Sequence, residues 1–337
     1  MGNRFKLALG FLLLASPALA GAIPAAPVFK ITKLISDQAG KAKNTDPNLV
    51  NAWGLSQSPG GPLWVSDNGT GLSTVYNQGT GVNTGLVVTI PSGQPTGTVY
   101  SVSGFNIKEG NKSGNAVFLF DSEAGIISGW NPNVDATNAI AGYDGSAQGS
   151  IYKGLAIDTT SNLLFAADFH NNQVQIFDSN WNLVGAFTDS TLPRRFAPFD
   201  VAVFNGKVYV TFAKQDRAKH DEVDGPGLGY VDIFDEKGNL LQQLTGQGPL
   251  NAPWGMAIAP SSFGSFANDL LVGNFGDGWV NAFDPATGAY IGPLSTKNGP
   301  IAIKGLWGLD AVPNGDITFS AGPKKESHGL VGLITAR

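Results

Sequence analysis

The chain contains no cysteine, and only 14% of its 337 residues are charged. The first absence removes disulfides, thiolate metal sites and thiol catalysis together. The second lies well below the roughly one quarter expected of a soluble domain, so Asn, Gln, Ser, Thr and backbone must carry much of the surface. There is no basic cluster, which excludes nucleic acid as a partner, and past the N-terminus no apolar run reaches membrane length. In contrast, 45 glycines and 20 prolines make nearly a fifth of the chain. That density of turns excludes a helical bundle, while 42% hydrophobic and 10% aromatic residues exclude global disorder.

The N-terminus reads as an address. Arg4 and Lys6 precede an apolar run from Leu7 to Leu14, then Ala18-Leu19-Ala20. This is the pattern of a signal peptide cleaved after Ala20, too short and too interrupted by Pro17 to span a bilayer. Cleavage leaves 19 basic residues against 26 acidic ones, a formal charge of −7. The mature chain is expected to be exported, periplasmic or extracellular, monomeric and free of the membrane.

Residues 21–337 read as one domain written as six repeats. Each repeat opens on an apolar strand with a small residue: Trp53-Gly54-Leu55, Thr96-Gly97-Thr98, Lys153-Gly154-Leu155, Phe199-Asp200-Val201, Trp254-Gly255-Met256 and Trp307-Gly308-Leu309. The mean spacing from Gly54 to Gly308 is about 51 residues, which suits a propeller blade. A second apolar strand follows each opening: 63–67, 116–120, 163–168, 208–212, 270–274 and 317–320. Five third strands end in an aromatic residue plus Asp or Asn (Tyr76-Asn77, Trp130-Asn131, Phe177-Asp178, Phe234-Asp235, Phe283-Asp284), a strand end feeding an Asx turn. The sixth repeat stops one strand short. The period-two alternation of Phe29 to Ile35 predicts that the N-terminal segment supplies the missing outer strand and closes the ring. The expected fold class is therefore an all-β, six-bladed β-propeller.

The register resembles propellers of the NHL type, most clearly over Leu164 to Asp178. Longer stretches are similar to an uncharacterised family of exported, mainly bacterial propeller proteins, some of which carry a C-terminal PEP-CTERM sorting tail. They include Asn44 to Leu55, Ala213 to Asp216 with Lys219-His220-Asp221, Gly248 to Gly255, Gly273 to Gly278 and Glu326 to Leu330. The chain departs from the tailed members by ending at Arg337 without that tail. The resemblance implies fold and export and no particular reaction.

Chemistry is expected where first strands begin and second strands hand over to third strands, because these loops share one face of a propeller and loops on a rigid scaffold carry function. His170, His220 and His328 all fall in second-to-third-strand loops, as do Asp67, Asn68, Asn171, Asn274 and Asp277. Asn51, Lys153, Asn251 and Lys304 precede first strands, beside Trp53, Trp254 and Trp307. The blade-four loop, Lys214 to Asp224, packs seven charges into eleven residues and includes Asp216 and Asp221. It reads as a lid across the channel mouth or as a solvated loop.

Three functions fit this face. A binding propeller would take a small molecule, glycan or peptide on Asp67, Asn68, Asn171, Lys214, Asp216, Asn251, Trp254, Asn274 and Asp277. A metal-assisted hydrolase or lactonase would hold calcium on Asn68, Asn171 and Asn274, with His170, His220, Asp221 or His328 as the catalytic base. A scaffold would use the rim for protein contacts. No nucleophile elbow, zinc helix, phosphate loop or EF-hand is present. Asn68-Gly69-Thr70 and Asn111-Lys112-Ser113 are formal glycosylation acceptors.

Overall fold

A computed structural model of the chain describes residues 28–337. The expected leader, Met1 to Ala20, lies outside the described residues. Among the described residues the chain forms six blade sheets, each with four antiparallel strands, and two of them carry a fifth, two-residue strand (Asn44–Thr45 and Glu222–Val223). Their first, innermost strands are Ala52–Gln57, Pro95–Tyr100, Tyr152–Asp158, Phe196–Phe204, Pro253–Ile258 and Leu306–Ala311. Two single 3-10 turns, Ser146–Gln148 and Gly264–Phe266, are the helix present among the described residues. None of it is long and apolar enough to cross a membrane.

The ring closes as the alternation predicts. Phe29–Ser36 lies antiparallel to Leu330–Ala336, paired from Phe29↔Ala336 to Ser36↔Leu330 with a bulge between Lys33 and Ile35, and becomes the fourth strand of blade six, with the two-residue Asn44–Thr45 parallel along its outer edge. Its apolar side chains divide between the two cores that flank the blade: Phe29 meets Phe263 and Phe266, whereas Leu34 and Ile35 pack with Leu63 and Val331. The strand-end aromatics Tyr76, Phe177, Phe234 and Phe283 are fully buried. In three blades the following Asp accepts backbone N–H groups two or more residues on, as Asp178 Oδ1 does from Asn180 (2.9 Å) and Asn182 (3.0 Å), which turns the chain into the outer strand.

The strand-opening glycines form a ring around the axis, and their absent side chains set how closely neighbouring blades approach. A Cβ on Gly54 would stand 2.6 Å from the Thr96 carbonyl, on Gly97 2.5 Å from the Leu155 nitrogen, and on Gly255 2.4 Å from the Trp307 carbonyl. Each glycine faces the inner strand of the next blade. Five inner strands skip two residues in their ladder at this level (between Ala52 and Leu55, Pro95 and Thr98, Tyr152 and Leu155, Pro253 and Met256, and Leu306 and Leu309). Blade four skips only Phe199 and carries Asp200 instead of glycine.

Two local features depart from the sequence expectation. The second strand of blade two spans Phe118–Ser122 and not 116–120, because Asn106–Glu109 and Lys112–Asn115 form an inserted hairpin ahead of it. In blade four the charged loop turns back on itself, and Glu222–Val223 pairs with Lys214 and Gln215. That fold carries Asp221 toward the axis.

Candidate functional site

On the face where first strands begin, a chain of polar groups crosses the axis. Lys153, at the start of blade three's inner strand, is buried with its side chain only 1% exposed. Its Nζ pairs with Glu123 Oε1 and lies 3.3 Å from Asp221 Oδ1. Glu123 sits in the tight turn between the second and third strands of blade two. Its second oxygen accepts Asn68 Nδ2 at 2.9 Å. Asn68 Oδ1 takes Asn51 Nδ2 (3.2 Å), which also donates to Glu326 Oε2 (2.8 Å). At the other end, His220 Nδ1 lies 2.8 Å from Asp221 Oδ1. Blades one, two, three, four and six thus share one network.

Its electrostatics are lopsided. Burial works against the Lys153 charge, but Glu123 and Glu222 outweigh it and hold the ammonium above its usual range. Burial also pushes Glu222 up to about 7, with Lys153 opposing, and raises Glu326. Asp221 is held below its usual range because Lys153 and His220 overcome its partial burial. One buried cation organises several carboxyls, two of which lean toward their protonated forms.

Beneath the network lies an aromatic plug. Trp53 and Trp307 stack with centroids 3.5 Å apart, and Trp254 meets both edge-on at 5.7 Å. Phe275 stacks on Trp307 at 4.2 Å. Trp254 Nε1 donates to the Lys153 carbonyl (2.8 Å) and Trp307 Nε1 to Asn51 Oδ1 (3.0 Å), so the plug is tied to the polar layer. Lys153 Nζ stands 5.3 Å from the Trp53 ring centroid, within cation–π range. All three tryptophans are at least 97% buried. They close the channel from above and offer no free stacking face to a glycan on this side.

Below the plug the channel is open. A cavity of about 930 Å³ runs between the inner strands, walled by Leu55, Leu155, Val201, Met256 and Leu309, with Trp254 among its lining residues. It opens among the loops that join first to second strands, such as Ser58-Pro59-Gly60 and Pro260-Ser261, on the face opposite the histidine loops. Two carboxyls line it, Asp200 and Asp310. Asp310 accepts Gln57 Nε2 at 3.2 Å, and burial pushes its carboxyl up to about 7.

The three histidines do share one loop class, but the structure does not bring them together. His220 joins the axial network. His328 Nδ1 lies 2.6 Å from Asp37 Oδ2, and Gln38 Nε2 stands 3.1 Å from its Nε2, so this ring pins the closing strand. His170 is half-buried beside Gly149, and its Nδ1 has no partner among the described residues. Most of the other expected ligand groups are bonded locally. Asp67 takes the Thr74 hydroxyl (2.7 Å), Asn171 donates to Asp168 (2.8 Å), and Asn274 bonds the Pro249 carbonyl (2.8 Å) and Asp277 (3.2 Å). Asn251 accepts the Gly225 amide (2.6 Å) and donates to Asp277 (3.3 Å). Asp216 accepts the His220 amide (2.9 Å), and Lys214 sits in the ladder opposite Phe196 and Val223. The proposed calcium ligands Asn68, Asn171 and Asn274 therefore serve three separate sets of bonds. The metal-capable group among the described residues is instead Glu123, His220 and Asp221, whose ligand atoms lie within 4.8 Å of one another. Glu123, Glu326, Asp200 and Asp310 are site residues that sequence reasoning missed. For Asp200 a signal was present: it stands where the other five strand openers have glycine.

No family model matches the chain. It is similar to two proteins of Acanthamoeba polyphaga mimivirus. Uncharacterized protein R648 is 32% identical over 92% of this chain and 81% of its own length, and uncharacterized protein L690 is 34% identical over 92% and 86%. Among solved structures it is similar to the WD40 β-propeller domain of Doa1, with a TM-score of 0.51 and 10% identity over 80% of this chain and 74% of that one. The last likeness supports the propeller fold and nothing finer.

Proposed function

Because the chain belongs to one family with the mimivirus proteins R648 and L690, each matched over most of its length, we propose that the propeller as a whole is the functional unit and that it binds a small molecule in its central channel. The observation that carries this reading is the channel itself. It is about 930 Å³ in volume, lined by apolar side chains and polar groups in roughly equal share, and blocked at one end by the tryptophan plug. Cavities of roughly 300–1,000 Å³ with apolar walls and a few polar groups are the usual form of a small-ligand site. The ligand enters from the face opposite the histidine loops, and the polar network with Lys153 serves to hold the plug. The leader pattern supports export of this binding protein, which the mass of the N-terminus of protein secreted from its host would check.

The test uses N-phenyl-1-naphthylamine, a neutral dye that brightens in apolar cavities, with Met256→Trp as a channel-filling variant. Dye uptake by the wild-type protein and its loss in a folded Met256→Trp variant support the reading. Equal uptake by both proteins places the dye elsewhere and refutes it.

A second reading, metal-assisted hydrolysis at the upper mouth, is favoured by the Glu123–His220–Asp221 grouping. Against it, the Lys153 ammonium already bridges Glu123 and Asp221, so a divalent ion must displace it. Equilibrium dialysis with calcium and zinc decides the matter: this reading requires metal uptake that Asp221→Asn abolishes.

A further inference from the structure

Asp200 is the exception in the ring of strand-opening residues. Where the other five blades have glycine, blade four puts a carboxylate on the channel wall. The shorter skip in its ladder makes this feasible: Asp200 pairs with Thr211, and its N–H donates to Thr211 Oγ1 at 3.0 Å. The side chain then reaches over Gly154, where a Cβ would stand 2.2 Å from Asp200 Oδ1.

The residue is only 7% exposed, and no side chain among the described residues hydrogen-bonds its carboxylate. Two other buried acids of this fold differ. Asp121 accepts the Thr96 hydroxyl (2.8 Å) and the Gly97 amide, and Asp168 accepts Ser150 (2.9 Å) and Asn171 (2.8 Å). Burial raises the Asp200 carboxyl well above its usual range, the Val201 amide working against this and nearby Asp121 adding to it. A buried charge without a counter-charge is unfavourable, and unlike Asp232, which is also without donors but is no part of the channel wall, Asp200 lines the channel, where a ligand can supply the missing donor. Thr98 Oγ1, also on the channel wall, is buried without a partner among the described residues.

Building on the channel reading above, we propose that Asp200 anchors an organic cation: a protonated amine whose hydrocarbon body lies along Leu55, Leu155, Met256 and Leu309. A divalent metal is the poorer match, since calcium takes six to eight oxygen ligands and only two carboxyls, Asp200 and Asp310, line the channel. An ammonium needs only a carboxylate and a hydroxyl, and an apolar tail uses the rest of the cavity.

Isothermal titration calorimetry with n-octylammonium, 1-octanol and octanoate tests this on the wild-type protein and on Asp200→Asn. The expected result is binding of the ammonium at least tenfold tighter than the alcohol, with no octanoate binding. Asp200→Asn should reduce ammonium affinity at least tenfold and leave the alcohol unchanged. Equal affinity for ammonium and alcohol in the wild-type protein overturns the cation assignment while keeping the channel, and needs no variant to fold. Ammonium binding unaffected by Asp200→Asn overturns it as well. If none of the three binds, the channel reading fails and the cation site with it.

Discussion

Replacing Lys153 with methionine removes the one cation of the axial network while keeping an unbranched apolar stem over Trp53. In the native protein Lys153 and Glu123 have side chains 1% and 7% exposed. The variant leaves Glu123 buried with Asn68 as its remaining donor and with Asp221, Glu222 and Glu326 close by. Breaking a buried ion pair from one side costs about 3–5 kcal/mol, and the lost cation–π contact adds about 1 kcal/mol. Lys153→Met should therefore lose roughly 4–6 kcal/mol of stability at neutral pH. The double variant Lys153→Met/Glu123→Gln should regain at least about half of it, since an amide costs less to bury than a carboxylate. The deficit depends on pH. Without the ammonium, carboxyls such as Glu222, already raised to about 7, rise further. The folded state then holds protons that the unfolded chain has released, so the deficit grows from pH 5 to pH 8. Urea unfolding followed by tryptophan fluorescence reads this directly, because Trp53, Trp254 and Trp307 lie against the network. A single variant within about 1 kcal/mol of wild type at pH 7.5, the range of an exposed pair, refutes the buried-pair argument.

Two further predictions concern the scaffold. Asp232 is fully buried, neither of its oxygens has a donor among the described residues, and burial, with Asp189 adding to it, pushes it up to about 8. Between about pH 4 and 8 the folded state keeps a proton that the unfolded state has lost, so stability falls by up to about 1.4 kcal/mol per pH unit. Asp232→Asn should flatten that decline in thermal melts, and an unchanged slope would contradict the assignment. In the glycine ring, Gly255→Ala drives a Cβ to 2.4 Å from the Trp307 carbonyl and should cost at least about 1–3 kcal/mol through overpacking. Gly185→Ala, whose Cβ would meet Ile176 at 3.4 Å, should change little, and similar losses in the two would contradict the account of the ring.

What was legible in the sequence is what repeats locally. Strand-opening glycines, buried second strands and aromatic-Asp ends recur because every blade meets its neighbours in the same way, and the alternation of Phe29 to Ile35 records a strand with two faces. The hairpin at 106–115 was not legible, since its polar residues carry no such pattern. The site was only partly so. Asn51, Asn68, Lys153, His220 and Asp221 could be placed on one face by register alone. Their partner Glu123 sits in a turn that nothing in composition marks, 30 positions from Lys153. The tryptophans illustrate the limit of a one-dimensional reading: each sits visibly before a glycine, but only closure of the ring stacks Trp53 of blade one on Trp307 of blade six. Asp200 was visible as a strand opener, and grouping it with the glycines hid that it is the position where the ring breaks its own rule.

The most direct measurement of the central claim is a crystal structure of the protein with n-octylammonium. The account predicts density along the channel beneath the tryptophan plug, with the nitrogen about 2.7–3.2 Å from an Asp200 carboxylate oxygen. Ligand density beside Glu123, His220 and Asp221 on the upper face, with the channel unfilled, would contradict it.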